Sequence, residues 1–348
     1  MDKFNYRKGQ KVPFTPIVIP FYENIKGYKQ VQQSHIQQVF GEESKRCESM
    51  FLTDHDTTHL AGIFPHAGEE AFFGFWETKD RKVNREAFEL LEESAKERGY
   101  VKLTGPLNFN TFHSYRLKLG TPSWKYFTHE PVNPLYYPDW LQKLGYEEHM
   151  KYESRKLEEE AVQMVYQMKS TFLETLKDLP YNILEITKEL WQQRIKEIYH
   201  LVDVIFGENP YYQQISFEHF RDQYNLDFVA MLCPYCSSFF EDPESGKLVA
   251  MSFSYPDYSQ LGVQEKYSFE ADFDRLEDPC LLIKSIGVHP AHRNKGLMNY
   301  LAAHGMQNFL DHYKTAMFCL MRSDNVSLSY TEPLPYERAE YALFSKIL

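Results

Sequence analysis

Residues 281–301 read LLIKSIGVHPAHRNKGLMNYL. Leu281, Leu282, Ile283, Ile286 and Val288 form an apolar, β-rich run that breaks at Pro290. A short basic turn follows (His292, Arg293, Lys295, Gly296), and then Met298, Ala302, Met306, Phe309 and Tyr313 fall close to one face at helical spacing. A buried strand, a glycine-bearing basic turn and a helix together make an anion cradle. The first-turn N–H groups have no intrahelical partner, and the helix dipole adds partial positive charge. A pyrophosphate placed there gains hydrogen bonds from the backbone, with Arg293 and Lys295 as counter-charges.

Outward from this stretch, the bulk numbers bound the answer. The chain has 348 residues, enough for two domains, and 43% hydrophobic with 16% aromatic content supports sizeable cores. A net charge of −11 argues against a nucleic-acid surface as the main business and suits a cationic or amine partner. Five cysteines, an odd number, indicate a reducing compartment. With no apolar leader and no run of membrane-spanning length, the expectation is a soluble, cytoplasmic protein without membrane partners.

The motif Arg293-Asn294-Lys295-Gly296-Leu297-Met298, behind Ile286-Gly287-Val288-His289-Pro290, resembles motif A (Q/R-x-x-G-x-G/A) of the GNAT superfamily of acyl-CoA-dependent N-acyltransferases. Met298 stands where that motif carries Gly or Ala; it either crowds the cofactor or points into the helix–sheet core, and we favour the core. The first half resembles the corresponding half of tandem-GNAT proteins. Phe72-Phe73-Gly74-Phe75 leads to a helix over 84–98 that stops at Gly99, then a strand over 100–103 and Gly105-Pro106-Leu107-Asn108. Its turn, Glu77 to Val83, has two acids and no glycine, so the first half reads as a GNAT fold without a pyrophosphate loop.

The resemblance implies an α/β (α+β) chain of two tandem GNAT-like domains, residues 1–157 and 158–348, each a mixed, mostly antiparallel sheet flanked by helices. It implies N-acyl transfer, in particular N-acetyl transfer, from acetyl-CoA (acyl-CoA) to an amine of a small molecule by direct attack in a ternary complex, with no metal. Ile286, Val288, Arg293, Asn294, Lys295, Gly296, Leu297, Met298 and Asn325 would hold the cofactor. A backbone N–H around Ile286–Val288 would stabilise the oxyanion. Tyr330 is the candidate acid for the leaving thiolate, with Glu270, and behind it Asp257, as base. Two other readings are a non-enzymatic acyl-CoA-binding scaffold and a Fem-type transferase using aminoacyl-tRNA. The latter would want a basic groove, against which the net charge speaks.

Other segments read more plainly. The histidines at 55, 59 and 66 with Asp56 sit in a strand–turn context, which argues against metal ligation. Cys233-Pro234-Tyr235-Cys236 matches a glutaredoxin-type redox motif, but the following Ser-Ser-Phe-Phe carries no helix signal, and we read the match as coincidence. Strands are expected at 228–232 and 237–240, and a solvated acidic loop at 259–279.

Overall fold

The computed structural model describes residues 1–124 and 126–348. The first half runs β1 (Asp2–Asn5), α1 (Pro20–Glu23), α2 (Gln33–Glu43), β2 (Cys47–Thr53), β3 (Thr58–Pro65), β4 (Glu70–Thr78), α3 (Arg81–Glu97), β5 (Lys102–Gly105), β6 (Leu117–Leu119), α4 (Tyr137–Lys143) and β7 (Glu147–Leu157). The second runs α5 (Glu159–Thr175), β8 (Asn182–Glu185), α6 (Lys188–Phe206), α7 (Phe217–Gln223), α8 (Leu226–Met231), β9 (Ser238–Asp242), β10 (Lys247–Pro256), α9 (Phe269–Asp272), β11 (Cys280–Val288), α10 (Leu297–Met306), β12 (Thr315–Arg322) and β13 (Glu337–Ile347). The chain is mixed α/β, with mostly antiparallel strands flanked by helices. Among the described residues no helix is long and apolar enough to cross a membrane.

Two compact units form, and they interleave in sequence where a break at 157/158 was expected. The first comprises Met1–Thr121, His129–Tyr152 and Glu340–Leu348, and the second Pro122–Thr128 and Glu153–Ala339.

In the first unit β1 to β5 are neighbours in order, and the final strand joins them, Phe344 facing Gly105 and Ile347 facing Lys102 in antiparallel register. β4 and β5 are the parallel pair, in register only from Glu70↔Lys102 to Phe72↔Thr104. α3 lays Ala87, Phe88, Leu91 and Ala95 onto Phe73, Leu103 and Phe344. The helix forms because those residues recur at three- and four-residue spacing, and Gly99, at φ +84°, ends it in the left-handed region. Burying each of the Phe and Leu side chains among these stabilises the unit by about 1.5–3 kcal/mol.

In the second unit the order is β12-β11-β10-β9-β8. Phe240, Val249, Ala250 and Val288 pack against Leu297 and Leu301 of α10, while α6 lies close enough to β11 that a Cβ on Gly287 would come within 2.3 Å of Ile205. Here only glycine fits.

Three expectations are corrected. Residues 228–231 of that run belong to helix α8 and Leu232 is its C-cap, because Asn225 accepts from the N–H groups of Asp227 and Phe228 and caps a turn that the short apolar run alone left ambiguous. The segment 259–279 is not a solvated loop throughout. It holds α9 and two 3-10 turns, and buried Asp272 accepts from the Ser268 N–H at 2.8 Å and pairs with Arg275. The buried face of α10 is Leu297, Leu301, Ala303 and Met306, and the helix stops there, so Phe309 and Tyr313 lie beyond it.

Candidate active site

β11 is an interior strand, yet its middle is open. Leu281 and Leu282 are buried, but Ile283 through Ile286 are only half-buried. Two irregularities account for this. On one side, Phe253 of β10 faces Ser285 and Ser254 faces Ile283, so Lys284 is an extra, bulged residue. On the other, the parallel register with β12 runs from Cys280↔Thr315 to Ile283↔Phe318 and, among the described residues, goes no further. β12 turns away in its own right at Leu320, which has φ +57° and donates its N–H to Ser154 Oγ at 3.0 Å. The two parallel strands therefore part after Ile283. Backbone groups of Ser285 to Val288 on the β12 side are left without a ladder partner among the described residues.

The turn that follows is held at its start and free at its end. His289 N–H reaches Val249 O at 2.7 Å, and Arg293 Nε lies 3.4 Å from Val288 O. Asn294 and Gly296 take positive φ values of 67° and 76°, conformations that asparagine tolerates and glycine prefers. Gly296 occupies the N-cap of α10 and brings no side-chain cap. Asn299 and Tyr300 donate to its carbonyl at 2.9 and 3.4 Å, which leaves the N–H groups of Leu297 and Met298 ahead of the first intrahelical bond. Arg293, Asn294 and Lys295 are exposed. Arg293 has a loose partner in Glu208 at 3.4 Å, and Lys295 has no ion-pair partner among the described residues. Met298 packs with the Val288–Leu297–Leu301 cluster. His292 Nδ1 meets the Tyr181 hydroxyl at 3.0 Å, and burial holds the neighbouring His289 below the usual imidazole range.

A side chain that sequence reading missed sits beside this turn. Lys169 of α5 places Nζ 2.7 Å from Asn299 Oδ1 and 5.6 Å from the centre of the Tyr330 ring, and burial lowers its pKa. Its signal was faint: it lies beside Phe172 on the expected helix but is one lysine among many. Tyr330 itself is half-buried at the end of a 3-10 turn from Val326. Buried Arg155 fixes that turn by donating to Leu328 O at 3.0 Å and Thr331 Oγ1 at 2.8 Å, while Glu153 accepts from its Nε at 2.9 Å. Asn325 is exposed and caps the same turn through the Ser327 N–H.

The structure thus gathers Arg293, Lys295, Gly296 and the α10 first turn, with Tyr330 reaching that turn through Lys169. It does not link the two candidate bases to them. Glu270 is exposed on α9 and has no hydrogen-bond or ion-pair partner among the described residues. Asp257 Oδ1 accepts from Thr128 N–H and Oγ1, both at 2.9 Å, and from Ser259 N–H at 3.0 Å, the pattern of a structural tie. The Cys233–Cys236 pair lies buried in a turn that leads straight into β9, with Cys236 Sγ 3.2 Å from Gly305 O.

No family model matches the chain, and no curated protein matches it. Among solved structures it is similar to a tandem GNAT protein from the clavulanic acid biosynthesis pathway, at 11% identity and TM-score 0.47, over 94% of this chain and 91% of that one. It is similar to a GCN5-related N-acetyltransferase from Sphaerobacter thermophilus at 10% identity and TM-score 0.44, over 91% and 86%. It is also similar to L-PGS from Bacillus licheniformis at 11% identity and TM-score 0.37, over 89% and 86%. These are likenesses of fold alone.

Proposed function

We propose that the chain is an N-acyltransferase that moves an acyl group, in particular acetyl, from acyl-CoA to an amine of a small molecule. One observation carries this reading: an uncapped helix N-terminus with two exposed cations stands directly behind a pair of parallel strands that separate mid-sheet. The N–H groups of Leu297 and Met298, with Arg293 and Lys295, suit the diphosphate of the cofactor. The exposed edge of β11 suits an extended amide-bearing arm, which can pair with a strand edge as a further strand would. The thioester carbonyl then falls near Ser285 to Val288, where an N–H aimed at the developing oxyanion lowers the barrier. Tyr330, held in place by Arg155 through its turn, gives its proton to the departing thiolate. The amine loses its proton to Glu270 or to water, since Asp257 is already committed to Thr128 and Ser259. Five buried free cysteines fit a reducing, cytoplasmic setting.

Incubation with acetyl-CoA and a panel of small amines, followed by free thiol release, tests the reading. Amine-dependent release supports transfer. CoA binding without release across the panel would reduce the protein to a binding module, and absence of CoA binding would remove the reading altogether.

A further inference from the structure

One motif takes no part in the proposed transfer. Cys233-Pro234-Tyr235-Cys236 lacks the helix that follows the first cysteine of a glutaredoxin-type site, yet the fold brings its two thiols together. The Ser237 N–H closes the turn on Cys233 O at 3.0 Å. Such a bond makes a single helical turn, in which Cα atoms three residues apart lie about 5 Å from each other, within the about 4.4–6.8 Å that a disulfide spans. Both ends of the turn are tied to β10. Cys233 N–H donates to Ser254 O at 2.8 Å, and Ser237 Oγ donates to the same oxygen at 2.8 Å while accepting from Ser254 N–H at 3.0 Å. Both cysteines are buried in one cluster with Leu281, Phe309 and Tyr313. The two thiols are in hydrogen-bond contact, and the Tyr313 hydroxyl, with no other partner among the described residues, lies against Cys233. Cys236 Sγ is also 3.2 Å from Gly305 O.

We propose that Cys233 and Cys236 are a modification site, closing into a reversible intramolecular disulfide when the chain meets hydrogen peroxide or another small hydroperoxide. The thiols have different roles. Burial opposes ionisation of Cys233, but hydrogen bonds from Cys236, from Tyr313 and from the N–H groups of Tyr235 and Cys236 outweigh it and hold that thiol below its usual range. Contact with Cys233, and then burial, keep the proton on Cys236. Cys233 is therefore the attacking thiolate. Its sulfur takes one peroxide oxygen as a sulfenic acid: the S–O bond forms, the O–O bond breaks and the other oxygen leaves as hydroxide. Cys236 then attacks that sulfur, the S–S bond forms, and the expelled hydroxide takes the Cys236 proton as water. Over both steps two thiols lose two protons and two electrons, and one peroxide becomes two waters. Enclosure selects the oxidant. A molecule scarcely larger than water reaches buried thiols during local openings, whereas a disulfide the size of oxidised glutathione needs a far wider one. Cys47 and Cys280 lack a second thiol beside them among the described residues, and burial pushes both up to about 12. Disulfide formation also removes the S–H that Cys236 can offer Gly305 O, and with it one tie between this turn and α10.

The test treats the full native chain with hydrogen peroxide, quenches with catalase, alkylates the remaining thiols with iodoacetamide in urea and reads the peptides by mass spectrometry. The segment holding Cys233 and Cys236 should lose two hydrogens, escape alkylation and regain both labels after dithiothreitol. It should do so at least about tenfold faster than Cys47 or Cys280 is oxidised. Oxidised glutathione at the same concentration should leave the pair reduced. Cys236→Ser leaves the sulfenic acid unresolved, so Cys233 should take up dimedone in that variant, whereas Cys233→Ser should keep Cys236 as a free thiol. The wild-type measurement needs no variant to fold. Absence of the disulfide in the native wild type overturns the site, as does oxidation of Cys47 or Cys280 at an equal rate. Oxidised glutathione acting as fast as peroxide overturns the small oxidant, and dimedone on Cys236 in Cys233→Ser overturns the assigned roles. Because no acyl-CoA takes part, failure of the transfer reading would leave this result standing.

Discussion

The two parallel strand–turn–helix junctions of this chain differ in what waits at the start of the helix. Only Lys79 and Asp80 separate β4 from α3, whereas His289 to Gly296 separate β11 from α10. Asp80 caps its own helix, accepting from the N–H groups of Lys82 and Val83 at 2.8 and 3.0 Å. Gly296 brings no side-chain cap, so the first-turn N–H groups of its helix are not spent on one. In the first junction the donors are spent on a carboxylate that would also repel a phosphate by about 1–4 kcal/mol near a surface. Two copies of one local plan thus arrive at opposite electrostatics through a single cap residue and six more residues of turn.

The sharpest way to test that contrast is at the chemistry. If Tyr330 is the acid proposed above, Tyr330→Phe removes the proton it would give the thiolate, and kcat should fall about 100-fold or more with CoA affinity nearly intact. Wild-type turnover in that variant would leave the second unit without an acid. Next in size is the pH response of the first junction. Glu77 is raised from 4.5 to about 7 in the fold, so between those values the folded chain holds a proton that the unfolded chain has lost. Stability should therefore fall as pH rises through that window, by something of the order of 3 kcal/mol, and be flat above it. Urea titrations of wild type and Glu77→Gln at pH 5 and pH 8 read this directly: the Gln variant should lose that part of the slope and gain relative stability at pH 8.

Gly296→Glu places a charged side chain at a φ of 76° beside the proposed diphosphate position and should weaken CoA by well over tenfold, or about 1.4 kcal/mol and upward. Calorimetry on the wild type should give a stoichiometry near one; a value near two would erase the asymmetry. The smallest effect belongs to Asp80→Ala, which removes the cap of α3 and should cost about 1 kcal/mol of stability without creating a second CoA site. A gain of CoA binding in that variant would show that the cap alone had closed the first junction.

The strand, turn and helix of 281–301 were legible because their information is local. An apolar run, a proline, basic residues and a glycine mark strand, turn and helix start within one stretch, and the structure adds that Gly296 is a left-handed N-cap. Met298 was more ambiguous, since only the packing of Val288 against Leu297 and Leu301 shows which side of the helix is covered. The parting of β11 from β12 left no mark in the sequence, because it depends on a bulge at Lys284 defined by partners on β10 and on a turn at Leu320 tied to Ser154. Arg155 and Lys169 were invisible for the same reason: what they hold lies more than 120 residues away. The 228–232 run failed differently, because five apolar residues fit strand and helix alike until the Asn225 cap decides.

The placement of Glu340–Leu348 in the first unit has a consequence for how the chain comes into being. β5 gains its antiparallel neighbour only when Phe344 meets Gly105, a contact across most of the length of the chain. A ribosome therefore delivers residues 1–121 and 129–152 of the first unit long before residues 340–348. In the interval β5 presents an open edge, the kind of surface on which other chains can pair. Closing so long a loop is slow, because its entropy is lost before the contact repays it. The second unit takes no strand from residues 340–348 and has no such edge to wait for.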